Sequence, residues 1–261
     1  MASSDSAIDE LFSQVVFAPP SKSESSIQMD YIDSCSSTKE PKEKIAYKVI
    51  GKPRPSSYLM IFVNGNAMTV EGSMDLLYRL LQKSKGVRSI VGFGYRGYGE
   101  SDGSPSLEKG NGVVEDLKTI VDHFSRAYPK IILWGHSIGT GIVASYLATY
   151  QPEWSHPVIL SAPYTSMLDV PMWSFLKNHL VEGEHTVHRG PHDRMITIDN
   201  LKFLKCPIRV FHGMEDRIIP ATHSAELAKV IDQVEPVFLE GAGHNDLFGY
   251  IFRYCKKYMS F

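Results

Sequence analysis

From Tyr58 to the carboxyl terminus the chain alternates short apolar runs with longer segments whose apolar residues recur at helical spacing. That alternation restricts the fold more than anything else in the sequence. The expected strands are Tyr58–Val63, Ser89–Gly94, Lys130–Trp134, Pro157–Ser161, Ile208–His212 and Val234–Leu239. The expected helices are Met74–Leu81, Val113–Phe124, Ile138–Tyr150, Thr222–Val230 and Asp246–Met259. Strands joined through helices cross over and run parallel, and a mostly parallel sheet must be covered by helices on both faces. In such sheets ligands bind beyond the carboxyl ends of the strands, so chemistry is to be sought just after each strand.

The strand at Ile131–Trp134 breaks into Gly135–His136–Ser137–Ile138–Gly139 and continues as Gly141–Ile142–Val143–Ala144. This reads as strand, tight turn and helix, with Ser137 at the turn and small residues letting helix and strand backbones approach. A serine hydroxyl is a poor nucleophile until a base removes its proton, and the base needs an acid to orient it. Ten histidines compete for that task. His136 belongs to the turn, with its ring expected to point away from the serine. His123 falls in a helix, His156 precedes a strand and His212 ends one. His179, His185, His188, His192 and His223 fall in a long connection or on a helix. His244 alone follows a strand directly, in a loop with two glycines. The acid is expected to be Asp216, which follows another strand 28 residues earlier. Glu215 would then point elsewhere, and Asp246 would cap the last helix. The order Ser137, Asp216, His244 is the one used by serine hydrolases of the α/β type. Oxyanion donors are expected from the Ile138 N–H and from the loop Val63–Asn64–Gly65–Asn66–Ala67–Met68, with the Asn66 N–H favoured and Ala67 in reserve.

A net charge of −2 and the lack of a Lys/Arg block exclude nucleic acid as a partner. Cys35, Cys206 and Cys255 lack metal-ligand spacing and are read as free thiols of a reducing compartment. His185, His188 and His192 share a loop without a spacing that would converge them, so no metal is expected, and the chemistry calls for no cofactor. The apolar runs are far too short to span a bilayer and the amino terminus is acidic, which predicts a soluble, cytosolic chain.

Residues 1–57 read as an extension ahead of a hydrolytic domain at 58–261. Ile8, Leu11, Phe12, Val15 and Val16 predict an amphipathic helix over Ser6–Phe17, opened by a Ser6/Asp9 capping box and ended by Pro19–Pro20. Its polar face is acidic, so packing on the body is the expectation and peripheral membrane contact the alternative. Ile27–Ile32 and Ile45–Ile50 are expected to pair as strands across 33–44. The connection at 162–205 is too long for an ordinary loop and carries Tyr164, Trp173, Phe175 and the apolar run Val170–Leu176. It is read as a short cap over the pocket, with a surface insertion as the alternative.

The Gly-rich run Tyr95–Arg96–Gly97–Tyr98–Gly99–Glu100–Ser101–Asp102–Gly103–Ser104–Pro105–Ser106 should rim the pocket. It lacks the helix and the Gly-Lys-Ser/Thr of a phosphate loop, so Arg96 is expected to pair with a carboxylate. Together with Gly135–Thr140, Gly65–Asn66–Ala67 and Val234–Asp246, this run resembles the α/β-hydrolase-domain serine hydrolases of the acyl-protein thioesterase branch. The resemblance spans Tyr58 to the end and is weakest in the insertion. It implies an α/β-hydrolase fold and an acyl-enzyme route with an acylated protein, or a lipid or small ester, as substrate. Tyr164, Trp173 and Met68 are the expected substrate contacts. Members of the nearest branch remove palmitoyl groups from membrane-attached proteins and carry an amino-terminal cysteine cluster, which Met1–Asp30 lacks. Phe17–Pro20 nonetheless resembles the junction after such an anchor. Asn64 stands where the family usually has histidine and is expected to hold the loop by hydrogen bonding. The alternatives are a lipid or small-ester carboxylesterase and a non-catalytic binding protein on the same fold. Oligomeric state is not legible.

Overall fold

The computed structural model describes residues 10, 13–20, 26–36, 42–108, 110, 112–151, 153–174 and 195–261. Among these residues eight strands form one sheet: β1 (Asp30–Asp33), β2 (Lys44–Gly51), β3 (Tyr58–Val63), β4 (Val87–Phe93), β5 (Ile131–His136), β6 (Val158–Ser161), β7 (Ile208–Gly213) and β8 (Val234–Leu239). Their order is β1-β2-β4-β3-β5-β6-β7-β8. The pairs β1/β2 and β2/β4 are antiparallel and every other pair is parallel. This mostly parallel sheet, antiparallel only at its first edge, is the architecture that the resemblance implies. Among the described residues after β1 the α-helices are α1 (Met74–Lys83), α2 (Val113–Ser125), α3 (Ile138–Tyr150), α4 (Thr197–Leu201), α5 (Thr222–Val230) and α6 (Leu247–Tyr254).

Successive residues of a strand face opposite sides of the sheet, and β3 shows how this divides the core. Leu59, Ile61 and Val63 pack into one apolar cluster with Leu117 of α2 and Ile142 of α3. Met60 and Phe62 pack into the other, with Leu77 of α1 and Phe252 of α6. Helix α3 is buried from Ile138 to Leu147, so it is apolar on nearly every side. It lies against β5 and between α2 and α4, which explains why its sequence shows no clear stripe.

Most expected elements are present, and the differences have tertiary causes. The first strand starts at Asp30, where its register with Tyr47 begins, rather than at Ile27. Strand β5 runs on to His136 because the pairing with β6 extends to His136 opposite Ser161. The last helix stops at Tyr254 and gives way to a 3-10 turn at Lys256–Met259. There the tail turns to pair with Lys85, whose N–H donates to Met259 O (2.7 Å) while Phe261 N–H donates to Lys85 O (3.0 Å). Residues 13–16 are helical, but the predicted helix start with Ser6 and Asp9 lies outside the described residues. So do Phe175, His179, His185, His188 and His192. The apolar run from Val170 is described only as far as Ser174.

Both edges of the sheet are unlike its centre. Strand β1 has four residues and begins and ends with aspartate, and β8 carries Pro236 in its interior, opposite Val210. Arg96 finds its carboxylate in Asp116 of α2, to which Nη2 donates at 2.7 Å and the backbone N–H at 2.9 Å. Among the described residues no helix is long and apolar enough to cross a membrane. Cys35 is exposed and Cys206 and Cys255 are buried, all as free thiols.

Candidate active site

Ser137 joins β5 to α3 with φ 53° and ψ −122°, a region that side-chain-bearing residues rarely occupy. Its N–H donates to Ser161 O (2.9 Å), and its carbonyl accepts from Thr140 N (2.9 Å) and Thr140 Oγ1 (2.6 Å). The turn has no room for a side chain at Gly139, where a Cβ would lie 2.3 Å from Val63 O. The small residues around the serine are therefore a packing requirement between helix and strand.

Three strand ends meet here. His244, in the loop after β8, places Nε2 3.1 Å from Ser137 Oγ and Nδ1 2.7 Å from Asp216 Oδ2. Asp216, in the loop after β7, accepts from Ile218 N (2.9 Å) and Ile219 N (2.8 Å) on its other oxygen. Burial pushes the Asp216 carboxyl up, but the neighbouring His212 and His244 imidazoles and the Ile219 N–H outweigh it and hold the group well below the usual carboxylate range. An ionised Asp216 requires the proton of neutral His244 on Nδ1, which leaves the Nε2 lone pair facing the serine hydroxyl. The two loops are locked together, since Glu215 N–H donates to Ala242 O (2.9 Å) and a Cβ on Gly213 would lie 2.3 Å from that oxygen. Glu215 itself is exposed. Asp246 occupies the N-cap position of α6, but its carboxylate accepts from Gly243 N–H (2.7 Å) and so fixes the His244 turn instead of the helix end.

The loop after β3 lies directly over the serine. A Cβ at Gly65 would meet His136 Cδ2 at 3.0 Å, Met68 Sδ at 3.1 Å and Ser137 Cβ at 3.5 Å. Asn64 Nδ2 donates to Phe93 O (3.1 Å) and the Asn64 backbone carbonyl accepts from the Tyr95 hydroxyl, so both hold the loop to the end of β4. The Ala67 N–H is taken by Asn66 Oδ1 (3.1 Å), whereas the Asn66 N–H has no acceptor among the described residues. The Ile138 N–H opens α3, among the amides that a helix leaves without an intrahelical partner. Met68 is half-buried beside this loop. Tyr164 is wholly buried and Trp173 nearly so, in the same core cluster. The Tyr164 hydroxyl lies 3.4 Å from Ile138 O and 3.2 Å from Met195 Sδ, so the structure places it behind the first turn of α3 as a support.

Sequence reasoning passed over two further histidines. His212 is fully buried, with Nε2 2.8 Å from Ile219 O and 3.6 Å from Asp216 Oδ2, and Nδ1 2.5 Å from Ser224 Oγ. The available signal was the i, i+4 spacing of His212 and Asp216. His136 lies beside His244, ring centroids 5.4 Å apart, with Nδ1 3.2 Å from Ser161 Oγ. That hydroxyl donates to Gly135 O (3.2 Å) and accepts from Trp134 Nε1 (3.0 Å), so its remaining lone pair takes the proton of His136 Nδ1. His136 therefore carries a proton on Nδ1. Burial, with His244 next to it, lowers its pKa to about 3.

This carries a stability consequence. The unfolded chain binds a proton at His136 near pH 6.5 and the folded chain only near pH 3, so the unfolded state holds more protons between those values. The contribution is fully present above pH 6.5 and is lost as pH falls toward 3. Urea unfolding of the native sequence is expected to lose on the order of 3 kcal/mol from this group between neutrality and about pH 4, with a flatter profile in His136→Gln. Asp216 acts in a lower window, below the ordinary carboxylate range. Equal slopes in the two proteins would show that His136 does not carry the effect.

Comparison with known proteins agrees with the geometry. The sequence model of the family described as "Serine aminopeptidase, S33" matches residues 54–189. The Acanthamoeba polyphaga mimivirus protein described as "Putative alpha/beta hydrolase L404" is 30% identical over 201 residues, covering 75% of this chain and 69% of its own length. Human alpha/beta hydrolase domain-containing protein 17B is 29% identical over 241 residues, covering 90% of this chain and 78% of the human protein. Among solved structures, Est1E from Butyrivibrio proteoclasticus with bound ferulic acid superposes with a TM-score of 0.66 at 18% identity. It covers 88% of this chain and 97% of its own.

Proposed function

The chain belongs to the α/β-hydrolase family, and from that premise and the site geometry we propose that it cleaves acyl thioesters through an acyl-enzyme on Ser137, as an acyl-protein thioesterase. The hydrogen-bonded series Ser137 Oγ, His244 and Asp216, at 3.1 and 2.7 Å, carries the reading. His244 Nε2 takes the hydroxyl proton as Ser137 Oγ attacks the carbonyl carbon. Asp216 holds the Nδ1–H tautomer and stabilises the imidazolium that forms. The negative charge arising on the carbonyl oxygen is met by the Ile138 and Asn66 N–H groups. As the tetrahedral intermediate collapses, the thiolate leaves and takes the proton from His244. Water, activated by the same histidine, then releases the acid.

The finer assignment, thioester rather than simple ester, is supported by the resemblance of Tyr95–Ser106 and Gly241–Asp246 to the acyl-protein thioesterase branch. The proposed substrate is an S-acylated protein, met in the cytosol or at a membrane surface. The test is turnover of an S-palmitoylated peptide against short and long nitrophenyl esters. Preference for the peptide and the long ester is expected. Activity on short esters alone would sink the thioesterase assignment and leave the carboxylesterase reading. A folded protein that takes no fluorophosphonate label would remove both.

A further inference from the structure

The loop that would supply the second oxyanion donor is not held by its own residues alone. Asn66 Nδ2 donates to Val16 O (2.8 Å), and Asn66 Oδ1 accepts from Ala18 N–H (3.0 Å), the Tyr98 hydroxyl (2.7 Å) and Ala67 N–H (3.1 Å). One carboxamide therefore clasps a backbone segment some 50 residues earlier in the chain. That segment is anchored in its own right. Val16 and Phe17 are 1% and 5% exposed, and the Phe17 ring meets Tyr98 edge-on at 6.3 Å. Ser13 Oγ accepts from Leu107 N–H (3.1 Å). Ala67, directly after Asn66, sits at φ 56°, a conformation that costs an alanine about 1 kcal/mol and persists only where neighbours enforce it. Without the clasp the turn Gly65–Ala67 is no longer held to these angles, and the Gly65–Asn66 peptide that carries the Asn66 N–H loses its support.

We propose that residues Ser13–Ala18 form a strap that positions the oxyanion-binding turn, with the Asn66 side chain as the positioning residue that transmits its hold. The inference rests on the serine-hydrolase reading above. With the strap seated, the Asn66 N–H is aligned for the developing oxyanion. With the strap loosened, the nucleophile, base and acid stay in place but the charge they create is met by one donor fewer. Whatever engages the amino-terminal segment thereby acts on the chemistry at Ser137.

The test uses Asn66→Ala, which keeps the backbone N–H and removes the carboxamide's bonds to Val16, Ala18, Tyr98 and Ala67, and Phe17→Ala, which leaves Asn66 intact and loosens the strap alone. Turnover is expressed per site titrated with saturating fluorophosphonate, so that unfolded protein is not counted. A misplaced oxyanion donor is expected to lower kcat roughly 10- to 100-fold with KM within about twofold, and Phe17→Ala to shift kcat in the same direction. The double variant should lose less than the product of the two losses, because both act through one contact. Wild-type kcat per labelled site in either single variant overturns the proposal, even if its melting temperature falls. A wild-type protein that takes no label overturns the underlying serine-hydrolase reading instead.

Discussion

Ser137→Ala is expected to lower turnover by roughly 10⁴- to 10⁶-fold and abolish fluorophosphonate labelling, with the protein still folded. Only the Oγ atom is lost, and its described partner is His244 at 3.1 Å. The bonds from Ser137 N–H to Ser161 and from Thr140 to the Ser137 carbonyl are backbone contacts that alanine keeps. The residual rate comes from the oxyanion donors and binding, which the substitution leaves intact. Alanine gains nothing from the backbone angles of φ 53° and ψ −122°, whereas glycine does. Ser137→Gly should therefore unfold at higher urea than Ser137→Ala, by about 1 kcal/mol. Substantial turnover in Ser137→Ala would mean that the nucleophile lies elsewhere.

Asp216→Asn is expected to cost roughly 10³- to 10⁴-fold in kcat with little change in KM, for a reason that the hydrogen bonds make explicit. Asp216 Oδ1 accepts two backbone N–H groups, from Ile218 and Ile219, so an asparagine keeps its carbonyl oxygen there and presents its NH₂ to His244 Nδ1. A donor at that position forces Nδ1 to accept, the imidazole proton moves to Nε2, and the lone pair facing Ser137 disappears. The loop geometry is retained, so near-native melting with a collapsed kcat is the expected pair of readings. A kcat within tenfold of wild type would show that Asp216 does not set the tautomer.

The strands and helices after Tyr58 were legible because their periodicity reports burial on a sheet already specified by its neighbours. Strand β3, helices α3 and α5 and strand β8 have the bounds expected from sequence. The elements that moved are those whose ends depend on distant partners, such as the tail that leaves α6 to pair with Lys85. The same division runs through the site. Ser137, Asp216 and His244 could be picked out because each follows a strand, a local signal. For His212 the one local signal was its i, i+4 spacing to Asp216, and the tautomers of His136 and His212 are set by Ser161 and by Ile219 and Ser224, which sequence spacing does not bring to them. The Asn66 side chain is a still clearer case, since an Asn-Gly-Asn turn looks self-sufficient until Val16 and Ala18 arrive from the far end of the chain. Tyr164 and Trp173, expected as substrate contacts, are both buried in the core cluster, and the Tyr164 hydroxyl lies 3.4 Å from Ile138 O.

The two edges of the sheet bear on how copies of this chain can associate. An exposed strand edge is a template on which another molecule can add a strand, and growth of that kind ends in aggregation. One edge here is only four residues long with a carboxylate at each end, and the other contains a proline that cannot donate to a ladder. Continuous sheets across two molecules are disfavoured at both sides.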